Sequence, residues 1–478
     1  MTNTKSAFYS YDRPQLNKSK KRILFANVPA DGHFGPLTAL AVHLKSEGHD
    51  VRWYTGASYA SKIERLGIPF YLFNKAKEVT VHNIDEVFPQ RKKIKNHVNK
   101  VVFDICSYFI ERGPEFYEDI KDISRSFDFD VLICDSAFTG LSFVREKLHK
   151  HTVAIGVLPL CESSNLLPPP IMGLTPAATM AGRAFHALLR WLTNNVLLKK
   201  PHALIDEQFR KFDMTAYGKN LFDVQINKST LFLQSGTPGF EYKREKISRH
   251  IHFIGPLLPY RGDSKFIMNF DEKLQRYQHV LLVTQGTFEG DVNKLIVPSI
   301  EAFKGSDALV VITTAGWQTA ALRERYQDVE NIVIEDFIPF NEIMPYADAF
   351  ISNGGYGGVM QSIIHKLPMV VAGVHEGKNE ICARVGYFKL GLNLRTERPK
   401  PGAIRKAVDE VLSNPLYQKN VENLSAEFKA YDPLEVCGQF IDELACCHRQ
   451  PASYEGVAGL HGRSDRRVAE PNNFSFSK

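Results

Sequence analysis

DFIPFNEIMPYADAFISNGGYGGVMQSIIHKLPMVVAG, residues 336–373, is the stretch that decides the fold. At its centre lie a short β-rich run, DAFIS (348–352), a turn with four glycines around Tyr356, and a helix from Val359 to Lys366. A second β-rich run, MVVAG (369–373), follows. Upstream, HVLLVT (279–284), ALVVIT (308–313) and NIVIE (331–335) repeat the same kind of run, separated by helical segments or short connections. Strands that alternate with helices build a parallel sheet covered on both faces.

A similar alternation opens the chain. RILFANV (22–28) has the pattern of a buried strand, and the helix after it puts Leu37, Leu40, Ala41 and Leu44 on one face, with Gly48 near its end. VRWYTG (51–56), VLICD (131–135) and TVAIGV (152–157) continue the series. From about 160 to 230 the pattern changes. NLLPPPIMGLTP (165–176) carries four prolines, and apolar-rich helical sequence follows, which reads as an insertion able to shape a ligand pocket. IGPLLPYRGDS (254–264) suits a linker. The expected architecture is α/β, with two facing Rossmann-like, doubly wound parallel-sheet domains. Residues 21–253 form the first, 254–275 the linker and 276–432 the second. A helix over 433–447 places Cys437, Phe440, Ile441 and Leu444 on one face, and polar tails at 1–20 and 448–478 are expected to be disordered.

Composition narrows the function classes. At 478 residues the chain has room for two domains, and a net charge of +6 is small for that length. The densest basic run, KSKKR (18–22), reads as a solvated tail, so a nucleic-acid footprint is not expected. Seven scattered cysteines without metal-ligand spacing argue against a disulfide framework or zinc site. No secretory leader or membrane-spanning run is visible, so a soluble protein in a reducing cytoplasm is the expectation.

Four short segments carry chemistry. His33, in VPADGHFGP (28–36), follows the first strand at its carboxyl end, where open α/β sheets place ligands. There it serves either as a general base or as a residue capping the turn. Asp135, in ICDSAF (133–138), ends another strand and either orients His33 or caps a helix. The turn NGGYGG (353–358) and its counterpart VTQGT (283–287) are either anion cradles at a helix N-terminus or purely structural turns. GVHEGKNE (373–380) offers donors and acceptors for sugar hydroxyls, or is a solvated loop.

Together and in order, these pieces resemble the family-1 nucleotide-sugar glycosyltransferases over about residues 22–447, most specifically in 330–395. The resemblance implies the GT-B fold, with the acceptor on the first domain, the donor on the second, and the helix 433–447 packing back onto the first. It implies an inverting, metal-independent transfer of a hexose, with His33 as catalytic base and Asp135 as its acidic partner. UDP-sugar is the implied co-substrate and TDP-sugar the alternative, with no further cofactor. By the same resemblance Phe337 stacks on the donor base, and the Ile338 backbone pairs with it. Gly286, Thr287 and the glycines Gly354, Gly355, Gly357 and Gly358 around Tyr356 cradle the diphosphate.

Several positions depart from the family pattern. Asn353 stands where the family usually has His, and its amide can still donate to a phosphate. Gly358 replaces a hydroxyl contact, and Gln361 replaces a ribose-binding Glu. His375 and Glu376 occupy the sugar-reading positions, given the usual register of Asn379. The expected acceptor is a small apolar hydroxylated molecule: a phenolic, polyketide or terpenoid. The other readings are a GT-B enzyme acting on a lipid or sterol at a membrane surface, a nucleotide-sugar isomerase, and a non-catalytic sugar-nucleotide-binding helper. The basic Arg183, Arg190, Lys199 and Lys200 leave peripheral membrane contact open.

Overall fold

A computed structural model describes residues 20–80, 83–216, 220–262, 268–287, 289–375 and 377–446. The expectations for the tails at 1–19 and 448–478 and for Glu376 lie outside the described residues. Seven strands form the first sheet: β1 (Arg22–Ala26), β2 (Asp50–Thr55), β3 (Phe70–Leu72), β4 (Val131–Asp135), β5 (His151–Gly156), β6 (Leu231–Ser235) and β7 (Ile251–Gly255). Six form the second: β8 (His279–Thr284), β9 (Ala308–Thr313), β10 (Ile332–Glu335), β11 (Ala349–Ser352), β12 (Met369–Val371) and β13 (Gly391–Asn393). All pair in parallel, in the orders β3-β2-β1-β4-β5-β6-β7 and β10-β9-β8-β11-β12-β13.

The near-continuous apolar runs follow from this arrangement. In β8, Val280 and Leu282 enter one core with Leu309 and Val311 of β9, while Leu281 and Val283 enter the opposite core with Val310 and Ile312. Side chains alternate between faces, and both faces are covered, so neither set is free to be polar. Burying each such side chain contributes roughly 1.5–3 kcal/mol.

The order of each sheet reverses direction beside its first strand, between β1 and β4 and again between β8 and β11. Such switch points open a crevice at the carboxyl ends of the strands. Four strands escape the sequence pattern: β3, β6, β7 and β13. The proposed linker therefore begins inside β7, whose last residues are Ile254 and Gly255. The insertion is also shorter than its sequence implied. The helix Leu221–Lys228 is the crossover that leads into β6, which pairs with β5. The helix of the decisive stretch starts at Tyr356, three residues before the expected Val359, so Gly357 and Gly358 lie within its first turn. At the far end the helix Pro433–Cys446 buries Cys437, and Gly438 faces His43.

A buried ionic joint ties the two halves. Arg384, on the helix Lys378–Tyr387, meets Glu241 of the first half at 2.8 Å and Glu380 of its own helix at 3.0 Å. Its guanidinium lies over the Tyr242 ring at 4.3 Å. Glu241 also accepts the Leu160 N–H, and Glu380 accepts the Gly173 N–H, both at 2.8 Å. Burial works against the charge on Arg384, yet Glu241, Tyr242 and Glu380 outweigh it and hold the group above its ordinary value. Removing one partner of such a set leaves the others buried and unanswered. Arg384→Ala is therefore expected to destabilise the protein by about 3–5 kcal/mol. A clear fall in the urea midpoint checks it, and an unchanged midpoint would show that the carboxylates do not depend on Arg384.

Candidate active site

The first crevice holds His33 and Asp135. His33 sits in the first turn of the helix Asp31–Ser46, directly after β1, and Asp135 is the last residue of β4. The pairing of β1 with β4 brings them together across 102 residues of chain, with His33 Nδ1 at 2.7 Å from Asp135 Oδ1. Asp135 has no exposed side-chain surface. Its Oδ2 accepts the Val28 N–H and its Oδ1 the Ala137 N–H, each at 2.9 Å. An ionised carboxylate only accepts, so the His33 hydrogen belongs on Nδ1 and Nε2 presents a lone pair. Asp135 does not cap a helix, because the next helix begins at Gly140.

The support beneath this pair was not visible in sequence. Phe34, next to His33, packs between Trp53 and Tyr59 with ring centroids 5.0 and 4.8 Å away. Trp53 Nε1 donates to Asn27 Oδ1 at 2.7 Å, and Asn27 Nδ2 donates to the Val28 carbonyl at 2.7 Å. Val28 in turn bonds Asp135, so a connected network runs from the β2 core to the imidazole. The one signal was Asn27 itself, a polar residue closing an apolar strand. Tyr108 is also close: burial, and then the charge of Asp135, hold its phenol well above the ordinary range.

The second crevice lies between the turns after β8 and β11. Asn353 Nδ2 donates to the Gln285 carbonyl and ties the turns together. One amide hydrogen of Asn353 remains for a ligand, and its buried Oδ1 has no hydrogen-bond partner among the described residues. Gly286 and Gly354 adopt φ of +75° and +80°, the left-handed region that favours glycine. A Cβ on Gly354 would collide with Cys382 Sγ, and one on Gly373 with the Asn353 carbonyl. Burial pushes the Cys382 thiol up to about 12, so it packs there as a neutral group. Among the described residues no side chain caps the helix Tyr356–Ile364 at Gly355, which leaves its first N–H groups open to an anion. Open space lies beside Gly357, whereas Gly358 packs toward Phe350 and Phe340.

The other predicted residues divide. Thr287 is exposed in the β8 turn, and its carbonyl accepts Trp317 Nε1 at 3.1 Å. Phe337 is largely exposed on the loop after β10, while the Ile338 side chain is in the core. Gln361 is half-buried on the Tyr356–Ile364 helix. His375 is exposed and held by Glu397, which accepts its N–H at 3.1 Å and also pairs with Lys294 at 3.1 Å. Two side chains are engaged elsewhere. Tyr356 is buried and donates its hydroxyl to the Ser235 carbonyl at 2.7 Å, so only its backbone lines the glycine turn. Burial, then the charge of Glu241, keep that phenol well above its usual range. Asn379 Nδ2 donates to the Ile171 carbonyl of the proline-rich loop at 2.6 Å, and its Oδ1 accepts the Glu380 N–H at 3.0 Å. The helices carrying His33 and Tyr356 touch each other. The linker passes alongside, with Tyr260 N–H donating to Thr38 Oγ1 at 2.8 Å.

Two parallel sheets with facing switch-point crevices, a histidine–aspartate pair in one and uncapped glycine turns in the other, define a GT-B glycosyltransferase. Residues 300–443 match the family described as Erythromycin biosynthesis protein CIII-like, C-terminal domain. The chain is 31% identical over 411 residues to 4'-demethylrebeccamycin synthase of Lentzea aerocolonigenes, covering 86% of this chain and 96% of that protein. It is 28% identical over 448 residues to UDP-glycosyltransferase 2 of Phaeomoniella chlamydospora, covering 89% and 96%. The fold matches the crystal structure of the kitacinnamycin glycotransferase with a TM-score of 0.69 at 16% identity, over 89% of this chain and 99% of that one. The chain belongs to this family of nucleotide-sugar glycosyltransferases.

The glycine turn yields a direct test. Gly354→Ala imposes a strained left-handed alanine and crowds Cys382, at a cost of about 1–3 kcal/mol for the backbone alone. A lowered Tm together with weaker UDP binding by titration is expected. Wild-type values for both would mean that the turn is not held rigidly.

Proposed function

We propose that the protein moves a hexose from a nucleoside-diphosphate sugar to a hydroxyl of a small apolar acceptor, with inversion at the anomeric carbon. The observation that carries this reading is the 2.7 Å contact between His33 and a fully buried, doubly N–H-bonded Asp135. His33 Nε2 takes the acceptor hydroxyl proton as the oxygen bonds to the anomeric carbon. The bond from that carbon to the diphosphate breaks on the opposite face, and its electron pair leaves with the nucleotide. Asp135 holds the ring and stabilises the imidazolium.

The acceptor belongs on the first domain, beside His33, and the donor on the second. The uncapped N-terminus at Gly355 and the backbone of Gly286, Thr287 and Gly357 favour the departing negative charge without requiring a metal. The exposed Phe337 ring offers a stacking surface for the donor base. The name of the Phaeomoniella relative supports UDP as the nucleotide, with TDP as the alternative. The name of the Lentzea relative supports a natural-product acceptor.

His33→Ala tests the mechanism. Transfer to an alcohol acceptor is expected to fall at least ~10²-fold. Stabilisation by nucleotide should persist, at about 2.7 kcal/mol when the ligand is ~100 times its Kd. EDTA should leave the wild-type rate unchanged. Undiminished transfer by the alanine variant would remove His33 from the reaction.

A further inference from the structure

The helix Met180–Leu192 in the inserted segment is turned inside out. Thr179 caps it, accepting the Gly182 N–H at 3.1 Å. The side chain it buries is polar: His186 is packed inside, and its neighbour Arg190 donates to the Leu167 carbonyl at 2.6 Å. Its large apolar side chains instead face water. Met180, Phe185, Leu188 and Trp191 are each more than half exposed, with Leu192 close behind. At ~100° per residue these five fall within an arc of about 140°, an unbroken apolar face. Val196, just beyond the helix, extends the exposed surface. The following helix, Lys199–Arg210, anchors the segment by burying Ile205 and Phe209 in the first-domain core.

Within the inserted segment itself the charge has one sign. Between Glu162 and Asp206 the chain has no acidic residue, whereas Arg183, Arg190, Lys199 and Lys200 are basic. Arg183 borders the apolar arc, and Lys199 and Lys200 are exposed at the end of the segment. A second copy docked through this face would bring a second set of the same cations, and no matching acid from this segment, into the interface. A bilayer with anionic headgroups answers both features. It takes a convex apolar helix without a matching groove, holds tryptophan at the headgroup level, and attracts basic side chains.

We propose that the Met180–Leu192 helix docks the enzyme on an anionic lipid surface, with Phe185, Leu188 and Trp191 entering the acyl boundary and Arg183, Lys199 and Lys200 at the headgroups. Docking is a property of this face and does not depend on the acceptor being a lipid. The His33–Asp135 site belongs to other elements of the first domain.

Flotation of the full chain with vesicles tests this. The protein should bind vesicles of phosphatidylcholine with phosphatidylglycerol, bind phosphatidylcholine alone weakly, and release as salt is raised. Emission from Trp191 should shift to the blue on binding, a shift lost in Trp191→Ser. The Leu188→Glu, Trp191→Glu pair should abolish binding while UDP binding by titration stays unchanged. Replacing Arg183, Lys199 and Lys200 by Gln should weaken binding by about 100-fold, since each basic side chain contributes roughly a factor of five at an anionic surface. Failure to bind phosphatidylglycerol vesicles at low salt would overturn the proposal. So would a dimer that the Leu188→Glu, Trp191→Glu pair converts to monomer, because the face would then belong to a second copy.

Discussion

A carboxylate without exposed surface must have its charge answered by neighbours, and Asp135 organises the first domain around that requirement. Two backbone N–H groups and one imidazole meet it. Val28 can reach Asp135 because β1 and β4 are adjacent, and they are adjacent because the sheet changes winding direction there. The imidazole is held because the residue after it, Phe34, is clamped between two aromatic rings. Removing the carboxylate would leave the Val28 N–H without its acceptor as well as freeing His33. Structure and chemistry therefore rest on the same side chain.

The second domain uses the same winding for the opposite charge. At the β8/β11 crevice the groups presented are N–H donors, and glycine keeps side chains out of their way. One winding thus holds a histidine–aspartate pair in one sheet and glycine-lined N–H donors in the other, and the difference lies in a few residues after the first and fourth strands of each sheet. The displacement proposed above uses both, on opposite sides of the carbon attacked.

Much of this was legible in the sequence, for identifiable reasons. Strands buried on both faces read as unbroken apolar runs, so β1, β4, β8, β9 and β11 were found nearly at their true limits. The strands β3 and β13, at the edges of their sheets, span three residues each and give too little pattern. β7 ends in a segment whose Pro and Gly suggested only a linker. His33 and Asp135 were legible as a pair because each lies immediately after or at the end of an obvious strand. The side-chain partners of Tyr356 and Asn379 are not legible, because the carbonyls of Ser235 and Ile171 lie 121 and 208 residues away on the other domain. Backbone acceptors carry no signature in side-chain sequence. The outward apolar face of Met180–Leu192 was equally hidden, since periodicity marks an apolar stripe without saying which way it points.

The joint at Arg384 bears on how such enzymes can be recombined. Two domains of similar architecture joined by one linker invite the exchange of halves between relatives. In this chain the seam is ionic: Arg384 comes from the second half, and one of its two carboxylates, Glu241, from the first. A foreign first half lacking an acid at that place would leave the buried Arg384 to Glu380 of its own helix and open a gap in the hydrogen bonding of the seam. Each half carries its own sheet, yet the seam between them is held by charges from both. A hybrid that keeps this seam needs an acid at the place of Glu241 alongside the second half.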